Sequence, residues 1–240
     1  MLAIVMPVFN EEGGIRDFVS ELNLIFKNVN MKIFIVDDFS TDNTPNILTE
    51  LEKSAQIGGW QRNSTNLGHG PSTLSAINLG VNSGAEKIIT VDGDGQFLGN
   101  DLRRVFDHLN GSVSVVEGVR TNRHEPIFRK LVTFSVRCLV FIQSLKFPSD
   151  ANTPLRAYTR LMAQQILSKI DNNCPIPNLV ISAILRKQKI IITEVHVRSI
   201  PRRGSVESGT TWNQKHRHLP SKRFVKFCAS SFRYWARNFR

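Results

Sequence analysis

Lys87–Gln96 reads K-I-I-T-V-D-G-D-G-Q, a buried apolar run that stops at two carboxylates one residue apart. The run is rich in β-branched side chains, which marks a fully buried strand, and the glycines after it mark a tight exit loop. Asp92 and Asp94 are therefore expected at the C-terminal edge of a sheet, where open parallel α/β sheets bind ligands. Two carboxylates so close, with no Lys or Arg beside them, repel each other unless a cation lies between them. Oxygen ligands, with the Gln96 carbonyl able to join them, favour Mg²⁺ or Mn²⁺ over zinc, and such an ion keeps positions open for the oxygens of a substrate diphosphate. The same D-x-D could also be a polar turn whose Asp residues cap the next helix, so the rest of the chain must decide.

Outward from this stretch, strand and helix signals alternate. Leu2–Met6, Lys32–Val36, a short run near 58–61 and Val113–Val119 read as further strands. Amphipathic helices are predicted for Ile15–Phe26, for a segment that Asn43 or Thr44 caps with Pro45 in its first turn, for Pro71–Val81, and for a segment from an Asn100 cap to Leu109. Strands alternating with helices imply parallel pairing through right-handed crossovers. The acidic residues Glu11, Asp37, Asp38, Asp92 and Asp94 all follow apolar strands. Successive parallel strands would bring them to one sheet edge, a convergence that caps alone rarely produce. An Asp just after such a strand commonly accepts two hydrogen bonds from a ribose or a base edge. Neither G-x-x-x-x-G-K-[ST] nor an early G-x-G-x-x-G is present, which disfavours P-loop and dinucleotide-binding folds.

The 240 residues, 41% of them hydrophobic, suffice for one large α/β domain with an appendage. Cys138, Cys174 and Cys228 form neither a metal-spaced cluster nor an even disulfide set, so a reducing cytoplasm is the expected setting. The N-terminal residues show no signal-peptide pattern, and no apolar run approaches the ~20 residues a membrane span needs. The net charge of +11 is concentrated: His196–Arg240 holds eleven Lys/Arg against the single Glu207.

P-V-F-N-E at 7–11, V-D-D-F-S-T-D-N-T at 36–44, N-L-G-H-G at 66–70 and D-G-D-G-Q at 92–96 resemble the family 2 glycosyltransferases of the GT-A fold. Within that family the second half is most similar to the dolichyl- and polyprenyl-phosphate sugar synthases, through Gly118–Arg120, Arg129, D-A-N-T-P-L-R at 150–156 and R-G-S-V-E-S-G at 203–209. The resemblance implies a GT-A domain over 1–210, with a nucleotide-sugar half at 1–119 and an acceptor half at 120–210, followed by a basic tail at 211–240. It implies that Pro7, Phe9, Glu11, Val36 and Asp38 hold the nucleoside, that Asp92, Asp94 and Gln96 hold the metal and diphosphate, and that Gly93 lies close to the sugar nucleotide. Arg120, Arg129 and Arg203 would neutralise phosphates, and His69 would approach the substrate. The chain departs from the pattern at Thr153-Pro154, Val206 and Gly209, all on the acceptor side.

A bound cation and fixed arginines would stabilise the departing nucleoside diphosphate, and direct attack on the anomeric carbon would invert its configuration. An acceptor phosphate arrives ionised, whereas a sugar hydroxyl needs a base. Asp150 is the candidate base; alternatively it pairs with Arg156 to shape a loop.

Phe128–Phe147 reads as a long amphipathic helix, in the first instance a core helix packed on the sheet and alternatively one facing a membrane. In the tail, Lys222, Lys226, Arg233, Arg237 and Arg240 fall on one helical face, and Phe224, Val225, Cys228, Phe232, Trp235 and Phe239 on the other. That pattern suits a helix lying in an anionic membrane interface, with Trp at headgroup level, or else one that buries its aromatic face on protein. The expected partners are a nucleotide-diphosphate sugar, a lipid-phosphate or glycan acceptor, and the cytosolic face of a membrane. Nucleic acid is disfavoured, because the basic groups oppose a continuous apolar face and no nucleic-acid motif is present.

Overall fold

In the computed structural model the backbone is described for residues 1–121, 127–204 and 222–238, and the side chains for all of these except 127–131, 222–227 and 238. Seven strands form one sheet: β1 (Leu2–Val8), β2 (Met31–Asp37), β3 (Gly59–Arg62), β4 (Lys87–Thr90), β5 (Val115–Thr121), β6 (Arg156–Thr159) and β7 (Ile192–Arg198), in the spatial order β3-β2-β1-β4-β6-β5-β7. All neighbouring pairs are parallel except those of β6, which runs antiparallel to both β4 and β5. The expected parallel α/β layer is thus present with one reversed strand.

Side-chain alternation along β1 explains why it lies near the sheet centre. Leu2, Ile4, Met6 and Val8 enter one apolar cluster, while Ala3 and Val5 enter the other, so both faces of the strand are buried. The first cluster is closed by α1 (Ile15–Ile25), α2 (Thr44–Lys53) and α4 (Gly99–Asp107) through residues at helical spacing such as Ile15, Phe18, Val19 and Leu22. The second is closed by α3 (His69–Asn82), α6 (Arg160–Leu167) and α7 (Pro177–Lys187). The result is a three-layer helix–sheet–helix sandwich whose strands end along one edge.

Three expectations shift on inspection. Asn100 lies inside the first turn of α4, with the extended Leu98 at the cap position. Helix α5 (Ile127–Ser144) buries Val140 and packs Val136 and Leu139 against the second cluster, but its other side is open, so it is only half a core helix. For helix α8 (Lys222–Asn238), Trp235 follows the second of the two readings, burial on protein rather than placement at a headgroup: it is 4% exposed and sits in the second cluster. Among the described residues, no helix is long and apolar enough to cross a membrane.

Candidate active site

The site is assembled at the carboxyl edge of the sheet by backbone contacts that leave little freedom. Beyond β4, the Val91 N–H donates to the Val5 carbonyl and the Gly93 N–H to the Pro7 carbonyl, so the D-G-D segment is laced to the tip of β1. A Cβ on Gly93 would lie 2.4 Å from Val8 Cγ1 and 2.9 Å from the Pro7 oxygen. Only glycine allows that approach, which sets Asp92 and Asp94 on either side of the contact. Asp94 Oδ1 accepts the Gln96 N–H at 3.1 Å, and Asp92 Oδ1 lies 3.5 Å from His69 Nε2 at the start of α3.

Glu11, on the loop after β1, joins this group. Its N–H donates to Thr44 Oγ1 at 2.9 Å, and its carboxylate meets the Arg202 guanidinium at 2.6 Å. Burial pushes the Glu11 carboxyl up to about 8, with Arg202 pulling it down and Asp94 and Asp92 adding to the rise. Asp94 is likewise pushed up to about 6, first by burial and then by Asp92. Three carboxyl groups thus crowd a site in which Arg202 and His69 only partly balance them. A divalent cation together with a diphosphate would relieve that excess, and the oxygen donors of Asp92 and Asp94 are of the type such an ion takes. Among the described residues, no three His, Cys, Asp or Glu side chains form a closed cage. A site that uses one or two carboxylates and leaves the remaining positions to substrate oxygens does not require one.

Arg202 is the charged group at this edge that the sequence did not single out, since the expectation fell on its neighbour. In the segment after β7, the Ile200 N–H donates to the Gln96 carbonyl and the Arg203 N–H to the Asp94 carbonyl, strapping this segment over the 94–97 loop. From that strap Arg202 reaches Glu11 and the Asn10 carbonyl. Arg203 turns the other way: it pairs with Glu21, donates to the Gly95 carbonyl at 3.1 Å and lies over the Phe18 ring. The Gln96 backbone carbonyl is engaged by the same strap.

Of the residues expected to hold the nucleoside, Pro7 and Val36 are buried in the strand ends, and Phe9 is half-buried. Asp38 accepts from the Asn63 side chain and from the Leu67 and Gly68 N–H groups, each at 2.9 Å, which fixes the N-L-G-H-G loop in front of α3. Asp37 is held in turn by Ser40 and by Arg62 at 3.2 Å.

In the second half of the chain, the reversed direction of β6 matters. Its first residue, Arg156, registers with Thr90 and Glu117, so the loop that precedes it arrives at the same edge as the strand ends. There Asp150 forms a two-pronged pair with Arg120, Nε–Oδ2 at 2.7 Å and NH2–Oδ1 at 3.1 Å. The loop-shaping alternative for Asp150 therefore has a different partner from the one expected. Arg156 instead meets Glu117 at 2.9 Å and the Asn178 side chain and carbonyl, and Arg186 meets the other Glu117 oxygen at 2.7 Å. The Arg129 side chain and residues 205–209 of the late motif lie outside the described residues.

Comparisons with known proteins bear on this edge. The profile of the family described as Glycosyl transferase family 2 matches residues 3–172. UDP-N-acetylglucosamine–dolichyl-phosphate N-acetylglucosaminyltransferase of Methanococcus voltae is 27% identical over 88% of this chain and 90% of its own length. Undecaprenyl-phosphate 4-deoxy-4-formamido-L-arabinose transferase of Pectobacterium atrosepticum is 26% identical over 74% of this chain, which spans about half (54%) of that protein. Among solved structures, glucosyl-3-phosphoglycerate synthase from Mycobacterium tuberculosis, in complex with Mn²⁺ and uridine-diphosphate-glucose, superposes with a TM-score of 0.59 at 13% identity, covering 86% of this chain and 72% of that one.

Proposed function

The chain belongs to glycosyl transferase family 2, a family of glycosyltransferases here built on the GT-A fold, and from that premise we propose that it moves a sugar from a nucleoside-diphosphate sugar to a polyprenyl phosphate at a membrane surface. The observation that carries the donor half is the crowding of Glu11, Asp92 and Asp94 at the tips of β1 and β4, with burial raising Glu11 to about 8 and Asp94 to about 6. Such a surplus suits a site completed by a divalent cation and a diphosphate. The curated relatives in dolichyl and undecaprenyl phosphate metabolism support the acceptor half.

In this reading Pro7, Phe9, Val36 and Asp38 frame the nucleoside, and Asp38 does so by holding the 66–68 loop in place. Asp92 and Asp94, with Gln96 beside them, hold Mg²⁺ or Mn²⁺, which when bound supplies Lewis-acid neutralisation of the leaving diphosphate. Gly93 leaves room for the sugar next to the β1 tip. Arg202 exchanges part of its hold on Glu11 for the incoming phosphates, the role the resemblance implied for Arg203. Arg120 and Arg129 attract the acceptor phosphate. The ionised acceptor oxygen attacks the anomeric carbon from the face opposite the leaving group, so the configuration inverts.

A glycan hydroxyl acceptor would need Asp150 as base. Arg120 occupies both oxygens of that carboxylate, which leaves it poorly placed to take a proton from a hydroxyl and suits an acceptor that brings its own charge. The test is transfer from a panel of radiolabelled nucleotide sugars to dolichyl or undecaprenyl phosphate, with and without chelator. An acid-labile product in the organic phase, lost with chelator and in Asp94→Asn, is expected. Transfer that persists in both, or product only on a glycan and stable to mild acid, refutes the reading.

A further inference from the structure

Exposed large hydrophobic side chains are not spread evenly over this molecule. Phe134 (57% exposed), Phe141 (41%), Ile142 (68%), Leu145 (79%) and Phe147 (45%) all belong to α5 and the turn that follows it. At about 100° per residue, Phe134, Phe141, Ile142 and Leu145 share an arc of roughly 100°. Val136, Leu139 and Val140, on the opposite arc, pack into the second core cluster, so the open stripe is the side of α5 left over after the helix has docked. Phe147 folds back to extend the stripe, its ring centroid 5.5 Å from that of Phe141 and 6.3 Å from that of Phe134. Arg137 fixes this fold, donating to the Pro148 carbonyl at 2.8 Å with its guanidinium over the Phe147 ring.

Charge selects the occupant. Ile127–Ser149 carries Arg129, Lys130, Arg137 and Lys146 and no acidic residue, in a chain whose first 195 residues are otherwise close to neutral. An apolar stripe on a segment whose charges are all positive complements an anionic bilayer surface, where aromatic rings and aliphatic tips enter the headgroup boundary and cations meet phosphate. The patch is also continuous with the acceptor side of the site. Only two residues lie between Phe147 and Asp150, at most roughly 11 Å of chain, and Asp150 holds Arg120 at the sheet edge.

We propose that the outer face of α5, with Phe147, is the surface by which this protein lies on an anionic membrane, in place of the C-terminal helix, whose Trp235 is buried in the protein. This deepens the reading of a lipid-phosphate acceptor and rests on it. In that orientation the loop leading to Asp150 and Arg120 faces the bilayer, so an acceptor phosphate need not leave the headgroup layer to reach the sheet edge.

The test compares three proteins in sedimentation with vesicles of equal parts phosphatidylcholine and phosphatidylglycerol: the wild type, Ile142→Asp/Leu145→Asp, and Phe232→Ser on α8. All three substituted side chains are well exposed, so melting temperatures should stay unchanged. The double variant is expected to bind vesicles about tenfold or more weakly, Phe232→Ser like wild type. Equal binding by wild type and double variant overturns the proposal, as does a loss caused by Phe232→Ser alone. A concentration-dependent dimer that the double variant abolishes, without vesicle binding by the wild type, overturns it in favour of a second copy of the chain. Weakened vesicle binding in a protein that glycosylates no lipid phosphate leaves the membrane surface standing and removes the acceptor reading.

Discussion

Glu117→Gln tests whether the acceptor half is held by charge or merely by packing. Glu117 is fully buried in β5, and its carboxylate meets Arg156 at 2.9 Å and Arg186 at 2.7 Å, both guanidiniums being almost wholly buried as well. Burial pushes the Glu117 carboxyl up, but the two guanidiniums outweigh it and hold it below its ordinary value of 4.5. Glutamine keeps the shape and one acceptor oxygen but strands the positive charges of Arg156 and Arg186, which retain only Asn178, Ser182 and the more exposed Glu194. Breaking a buried pair in this way costs about 3–5 kcal/mol. The retained oxygen puts this case near 3, a fall of about 6–12 °C in melting temperature for a chain of this size. The sign with pH follows from the depressed carboxyl. Its contribution is fully present above the unfolded value of 4.5 and is lost as pH falls through the folded one, so the gap between the proteins should be constant near neutrality and close in acid. Calorimetric melting from neutral to acidic pH reads both effects. A neutral-pH shift under about 2 °C, or a gap that widens in acid, refutes the reasoning.

Arg202→Ala removes the contact that Glu11 makes with its guanidinium while burial keeps that carboxyl protonated; a loss of about 1–2 kcal/mol, with donor binding weakened more than tenfold, is expected from urea titration and calorimetry of nucleotide binding. Gly93→Ala forces a Cβ to within 2.4 Å of Val8, so the β1 and β4 tips must part; about 1–3 kcal/mol should be lost and turnover should fall far more steeply than stability. Arg120→Ala removes the two-pronged contact from the buried Asp150, costing about 1–3 kcal/mol, and Arg120→Lys should not restore transfer to a phosphate acceptor because the two-pronged geometry is gone; melting and product assays together check this.

Much of this site could be read locally. A strand that ends in D-G-D announces itself because the apolar run, the two charges and the glycines lie within ten residues, and the β1 and β2 tips announce themselves in the same way. What sequence does not reveal is the direction in which neighbours point. Arg202 and Arg203 are chemically identical on paper, but the strap's path sends one to Glu11 and the other to Glu21, a choice made by contacts more than a hundred residues away in the chain. The Asp150–Arg120 pair was hidden for a related reason: it depends on β6 running against its neighbours. Glu117 did carry a signal, since a carboxylate inside V-V-E-G-V must find a counter-charge, but its partners come from β6 and α7 and no spacing rule points to them.

The strap after β7 has one more consequence. Glu11 and Arg202 are 191 positions apart, so a nascent chain emerging from the ribosome carries its first acidic loop for most of its synthesis with no counter-ion of its own. The contact between the first acidic loop and the strap therefore closes late, and a fragment cut before the strap would keep the residues of all seven strands while losing that closure.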